Sequence, residues 1–172
     1  MGIIFLSYAR DDEVFARTLA RALESAGHEV WWDRRIDSGE EFAAEIEAAL
    51  ERADVVLVAW SAHSVKSAWV RDEASAGRDD GRLLPVSIDG SRPPMGFRQY
   101  QTLELLGWKG GSRDARTAEL LKAVDRRLSD FPAVTDELAY ANLRDDPRMK
   151  RIDAIIAADI DRERRELLAA GV

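Results

Sequence analysis

A tryptophan and a glutamate four residues apart, Trp69 and Glu73, follow three serines (Ser61, Ser64 and Ser67) and an apolar run from Asp54 to Trp60. Four aliphatic residues and an aromatic within that run read as a strand buried on both faces. The serines form a polar loop, and Ser64 or Ser67 can cap the helix beyond it. On that helix Trp69 and Glu73 share a face. A strand end, a polar loop and a helix start make up the place where open α/β sheets take ligands. A carboxylate beside an indole there could hold a ribose-like group and stabilise positive charge developing on it. The plain alternative is an exposed helix glutamate with a half-buried tryptophan.

Other chemistries find little support. No G-x-G-x-x-G follows the first apolar run and no Walker loop occurs, so the usual phosphate cradles are missing. The absence of cysteine removes thiol catalysis, disulfides and zinc–thiolate sites. His28 and His63 lack partners at metal-ligand spacing; His28 reads as structural, and a Ser–His–Asp site on His63 has no partners to nominate. A net charge of -7 argues against a nucleic-acid backbone as partner. Basic residues lie mostly among acids on helices, where i,i+4 pairing on a wet face explains them. The start, Met1-Gly-Ile-Ile-Phe-Leu-Ser-Tyr, has no basic n-region, and its apolar run is too short for a signal peptide or membrane span. A soluble, cytoplasmic protein is expected.

The 172 residues, 46% hydrophobic and 33% charged, suffice for one domain with a real core and an appendage. Ile3–Leu6 reads as the first strand. Asp11 and Asp12 are candidate caps for a helix with the stripe Phe15, Leu19, Leu23 and Ala26, stopped by Gly27. Val30–Trp32 is the second strand, followed by the polar loop Asp33–Gly39. Ser38 and Glu41 have capping-box spacing ahead of a helix with Phe42, Ile46 and Leu50. The strand through Trp60 is the third, and the helix bearing Glu73 ends near Gly77. Leu83–Ile88 is the fourth strand, with Pro85 marking an interruption or an edge. Gly90–Gly96 is an irregular loop, Gln101–Trp108 leans to a fifth strand, and a helix from about Arg113 to Leu128 carries Leu121, Val124 and Leu128. Alternating strands and helices demand a parallel sheet with right-handed crossovers. Beyond residue 130, Asp136–Leu143 and Pro147–Ala170 read as two further helices, with Arg162–Glu166 a solvated face. The expected division is a domain over 1–130 and a helical extension over 131–172 that packs back on the domain, mediates association or begins a linker.

Several segments, in order, resemble the Toll/interleukin-1 receptor (TIR) domain in its bacterial form. They are Phe5–Arg10, Val30–Asp33, Ile36–Gly39 with Phe42, Trp60-Ser61, Ser67–Glu73, and Pro94–Gln99 with Trp108. The resemblance spans roughly residues 3–128 and implies a flavodoxin-like sheet of order 2-1-3-4-5 with helices on both faces. Many members of the family cleave NAD+ at the nicotinamide–ribose bond; others are scaffolds that signal through TIR–TIR contacts. The enzymes share a Trp-x-x-x-Glu element that corresponds to Trp69–Glu73, so the resemblance makes Glu73 the catalytic glutamate. NAD+ is then a substrate, with no cofactor and no metal. Tyr8 and Arg10, after the first strand, are expected beside Glu73, with Arg10 meeting the pyrophosphate. Arg35, Asp37, Ser38 and Phe42 belong to the loop that in the family closes over the nucleotide or meets the next protomer. Phe42 also fits a core stripe, and Trp69 could stack on an aromatic ring.

The resemblance further implies activity on homotypic assembly; in this chain the loop with Pro93, Pro94 and Phe97 is a candidate contribution from the neighbour, and the C-terminal helices are a candidate driver of association. The implied function is an NAD+ glycohydrolase giving ADP-ribose or a cyclic ADP-ribose-type product, in immunity or virulence, with neither nucleic acid nor membrane as partner. The rival is a non-enzymatic TIR interaction module. A nucleoside deoxyribosyltransferase-like enzyme, similar to the family in fold and in using a glutamate, is a third reading.

Overall fold

A computed structural model describes residues 1–32 and 40–130, with backbone alone over 40–44. Arg35, Asp37, Ser38, the Ser38–Glu41 capping box and the two helices expected beyond residue 130 therefore lie outside the described residues, as does the side chain of Phe42.

Five parallel strands form one sheet in the order β2-β1-β3-β4-β5: β1 (Ile3–Ser7), β2 (Glu29–Trp31), β3 (Val55–Trp60), β4 (Leu83–Ser87) and β5 (Leu103–Glu104). This is the flavodoxin-like order expected of the family. Three helices connect successive strands, α1 (Glu13–Ser25), α2 (Glu40–Arg52) and α3 (Ala68–Asp79), and a fourth, α4 (Ala115–Asp130), follows β5. β3 is buried along its whole length, because it is the centre strand and both faces are covered. Its alternate residues divide between two cores. Val55, Leu57 and Ala59 pack with Ala16, Leu19 and Leu23 of α1 and Leu120 and Val124 of α4. Val56, Val58 and Trp60 pack with Ile46 of α2 and Val70 and Ala74 of α3.

The two helix stripes are displaced slightly from expectation. On α1 the buried set is Ala16, Leu19, Ala20 and Leu23, and Ala26 is exposed past the last turn. On α4 it is Thr117, Leu120 and Val124, with Leu121 and Leu128 at the margin. Gly27 ends α1 as expected, at φ +90. The His28 N–H donates to the Leu23 carbonyl at 3.2 Å and the Gly27 N–H to the Glu24 carbonyl at 3.0 Å, a Schellman termination.

Gly77 does not end α3, which runs on to Asp79. A Cβ on Gly77 would stand 2.6 Å from the Val56 Cβ, so its role is close approach of helix to sheet rather than a turn. Pro85 does not interrupt β4 either. The Arg82 carbonyl and the Ile88 N–H bond to β3, and the Ser87 carbonyl bonds to Leu105 on the β5 side. Pro85 shares Ser87's side of the strand, where pairing with β5 begins only at Val86. Its missing N–H thus removes no ladder bond, and the expected edge is a local one.

The amino ends of the strands are tied together. The Ile3 N–H donates to Asp54 Oδ2 at 2.8 Å, the Asp54 N–H returns to the Ile3 carbonyl at 2.8 Å, and the Glu29 N–H donates to the Gly2 carbonyl at 3.0 Å. Arg82 Nη1 donates to the Leu50 carbonyl at 3.0 Å and the Ala53 carbonyl at 2.5 Å, placing a cation at the carbonyl end of α2.

Candidate active site

Parallel strands send all their carboxy ends to one edge, and five of the six buried polar residues among the described residues gather there: Ser7 on β1, Ser61 and Ser64 after β3, Ser87 on β4, and Glu73 on α3. The loop after β3 is built by its serines. Ser61 Oγ accepts the N–H groups of His63 and Ser64 at 3.1 and 3.0 Å, and Ser64 Oγ accepts the Ser61 N–H at 2.7 Å. A short 3-10 turn, Ser64–Lys66, then hands the chain to α3. Of the two candidate caps it is Ser67 that acts, accepting the Val70 N–H at 3.3 Å, while Ser64 is committed to the loop.

Val70, Ala74 and Gly77 turn α3 toward the sheet, and Glu73 is drawn in with them to 8% exposure. Trp69, one turn earlier, is 49% exposed. The expected shared face therefore resolves into a buried carboxylate below a half-open indole, rather than the exposed glutamate of the plain alternative.

A hydrogen bond that holds Glu73 comes from a residue outside the expected set. Ser7 Oγ donates to Glu73 Oε2 at 2.5 Å across 66 residues of sequence. Ser7 ends β1 at the parity of Phe5, whose side chain belongs to the α2/α3 core, so a serine at that position faces α3. Tyr8, the next residue, packs against the α1/α4 core, its ring 6.3 Å from that of Trp32. Arg10 is exposed and opens a 3-10 turn, Arg10–Asp12, that leads into α1. Arg35, Asp37 and Ser38 and the side chain of Phe42 have no described position.

Asp12 stands at the N-cap of α1, yet its side chain makes no cap hydrogen bond. It accepts instead from Ser61 Oγ at 2.5 Å. Asp89, after β4, accepts the Ala62 N–H at 2.8 Å. Tertiary demand for a carboxylate outcompetes the local cap, and the loops after β1, β3 and β4 become one hydrogen-bonded rim. His63 lies 3.8 Å from Asp11, both well exposed, which is too long for an oriented catalytic pair. Among the described residues no group of three or more metal-ligating side chains occurs, and none of their helices is long and apolar enough to cross a membrane.

Phe97 is 4% exposed and packs on Trp60 at 5.3 Å between ring centroids. That places it in its own core instead of at the surface where a neighbour would meet it. A depression of about 470 Å³ lies between Phe15, Ile88 and Trp108, with Asp12 and Asp89 on its wall. It contains no residue of the Trp69–Glu73 face, and both of those carboxylates are engaged in the rim.

Comparison with known proteins bears on the family. The chain is similar to a metazoan TIR-STING receptor from C. gigas, solved in complex with 2′,3′-cGAMP, at 25% sequence identity and a TM-score of 0.57. The likeness covers 70% of this chain and 38% of that one, so the chain spans well under half of the receptor's length. A conserved protein from Enterococcus faecalis V583 is similar at 10% identity with a TM-score of 0.47, over 74% of this chain and 99% of that one. No curated protein sequence matches. The profile of the family described as "TIR domain" matches residues 4–121, a continuous stretch that runs from β1 into α4 and contains Trp69 and Glu73. On that match and the sheet order 2-1-3-4-5, the chain belongs to the TIR-domain family.

Proposed function

We propose that this TIR domain cleaves NAD+ at the nicotinamide–ribose bond, with Glu73 as the catalytic carboxylate, and that it does so when self-associated. The observation that carries the reading is a carboxylate drawn to 8% exposure at the carboxy edge of the sheet, one helical turn from a half-open indole. A fixed anion in a partly dry site stabilises a cationic transition state more than water does. Departure of nicotinamide takes the glycosidic electron pair and leaves an oxocarbenium-like ribosyl centre. Water then adds its oxygen to that carbon and releases a proton, giving ADP-ribose; attack by an atom of the adenine in place of water gives a cyclic product. Nicotinamide leaves as a neutral molecule, so the reaction needs no metal, and NAD+ is consumed as a substrate.

The remaining residues are assigned by family likeness. Trp69 supplies a planar wall for a ring, Tyr8 lines the strand end, and Arg10 meets the pyrophosphate. The 33–39 loop, with Arg35, Asp37 and Ser38, and Phe42 after it, closes over the nucleotide or contacts the next protomer. The domain ends near residue 130, and the segment beyond it promotes association.

The test is nicotinamide release and product separation at high protein concentration, wild type beside Glu73→Gln, with the size of both assemblies measured. Loss of release in the mutant with assembly intact supports the reading. An assembled wild type that leaves NAD+ untouched refutes it and favours a non-enzymatic interaction module. That alternative draws on apolar side chains left in solvent, Val14, Met95 and Leu106. Adding a deoxynucleoside and a free base to the same assay exposes transferase activity.

A further inference from the structure

We infer that Ser7 is a positioning residue for Glu73: its hydroxyl, mounted on β1, holds the carboxylate of α3 in its working orientation. The inference rests on the NAD+-cleaving reading, for which Glu73 is the reactive group.

On β1 and β3, Ser7 interrupts a face that is otherwise apolar. On the α2/α3 side of the central strands stand Phe5, Val56, Val58 and Trp60, and Ser7 pairs in register with Val58. At 2% exposure its hydroxyl has lost its water, and a buried hydroxyl is costly unless it is partnered. The partner is a carboxylate oxygen at 2.5 Å, within the range of a charge-assisted O–H···O⁻ bond. An alanine at this position would have packed without that cost, so the hydroxyl serves the carboxylate.

The mechanical contrast between the two residues supports the same assignment. Glu73 reaches its site through three rotatable bonds from a helix. Ser7 reaches it through one, from a strand paired with β2 as far as Phe5 and with β3 through Ser7 itself, opposite Val58. A carboxylate that must face a developing charge needs its plane fixed by something stiffer than its own chain. Ser7 also stands three residues before Arg10, so one strand end sets both the anion and the proposed pyrophosphate ligand. A purely structural clamp between β1 and α3 would show itself in stability alone; a positioning residue shows itself in turnover.

The experiment compares wild type, Ser7→Ala, Ser7→Cys, Ser7→Thr and Glu73→Gln for steady-state NAD+ cleavage, with thermal melts confirming that each is folded. Ser7→Ala and Ser7→Cys, which lack a strong O–H donor, are expected to lose about 10- to 100-fold in kcat, the scale of a misplaced catalytic group. KM should stay within about threefold, because the substrate's own contacts remain. Ser7→Thr, which keeps the hydroxyl, is expected to retain most of kcat. A folded Ser7→Ala or Ser7→Cys with wild-type kcat, while Glu73→Gln is inactive, overturns the role of Ser7 and leaves the enzyme reading standing. A loss confined to KM overturns it as well. An inactive wild type overturns both at once, and is recognised as such from the same set of assays.

Discussion

Replacing Gly77 by alanine sets two opposed effects against each other, and the structure decides which wins. In a helix interior, alanine is favoured over glycine by about 1 kcal/mol. The new Cβ, however, would lie 2.6 Å from the Val56 Cβ and 2.9 Å from its Cγ1. Ordinary contact begins near 3.4 Å, so α3 must retreat by about 0.8 Å. Val56 cannot yield, because it is fully buried on the centre strand. Overpacking of this kind costs about 1–3 kcal/mol, and the retreat also loosens Val70 and Ala74 on the same face. The expected outcome is a net destabilisation of about 1–2 kcal/mol, or a melting temperature lower by about 3–8 °C. Urea unfolding followed by tryptophan fluorescence measures it, with the buried Trp60 as one reporter. Glu73 sits one turn before Gly77 on the same helix, so the proposed turnover should fall about tenfold with the shift. A variant more stable than wild type by the helix-propensity increment would refute the close-approach argument.

Two further outcomes follow from buried polar groups. Thr117→Val keeps the shape of the side chain but removes the hydroxyl that accepts from Trp108 Nε1 at 2.8 Å and donates to the Gly111 carbonyl at 2.7 Å; unfolding stability should drop by about 1–3 kcal/mol, and an unchanged denaturation midpoint would contradict the pairing. Burial, with the nearby amino terminus, lowers the pKa of His28 below its usual 6.5, partly offset by Asp125. A lowered folded-state pKa means that His28's contribution is complete above pH 6.5 and is lost as pH falls through the folded value. Wild type should therefore lose more stability than His28→Gln between pH 7.5 and about pH 5.5, and equal losses in denaturant titrations at the two pH values would remove His28 as the cause.

The sheet could be read from the sequence wherever burial was its main determinant. The runs at Ile3–Leu6, Asp54–Trp60 and Leu83–Ile88 are apolar on both faces because strands covered on both sides leave no other choice. β5 was harder: only Leu103 and Glu104 pair, too short a segment for alternation to register. Glycine and aspartate misled where local grammar met tertiary demand. Gly77 carries the signature of a helix stop yet serves a contact with Val56. Asp12 carries that of a cap yet binds Ser61. The Trp69–Glu73 spacing was visible because one helix holds both residues. The Ser7–Glu73 bond was not, since only the β1–β3–α3 crossover brings together residues 66 apart. A faint signal existed in Ser7 itself, a hydroxyl closing an apolar run at the parity of Phe5.

The one-way direction of the strands separates this molecule into two edges that can vary independently. The Schellman turn at Gly27, the Asp54–Ile3 exchange and the Arg82 clamp on α2 all lie at the amino edge, a strand length from Ser7 and Glu73, about 17 Å for five residues. Substitutions at those three ties can raise or lower the folding free energy without displacing a rim residue, unlike Gly77→Ala, which moves the helix that carries Glu73. The serine and aspartate rim at the carboxy edge can in turn exchange loops without unstitching the sheet. A lineage built on this plan can drift in thermal tolerance and in ligand preference as two nearly unlinked traits.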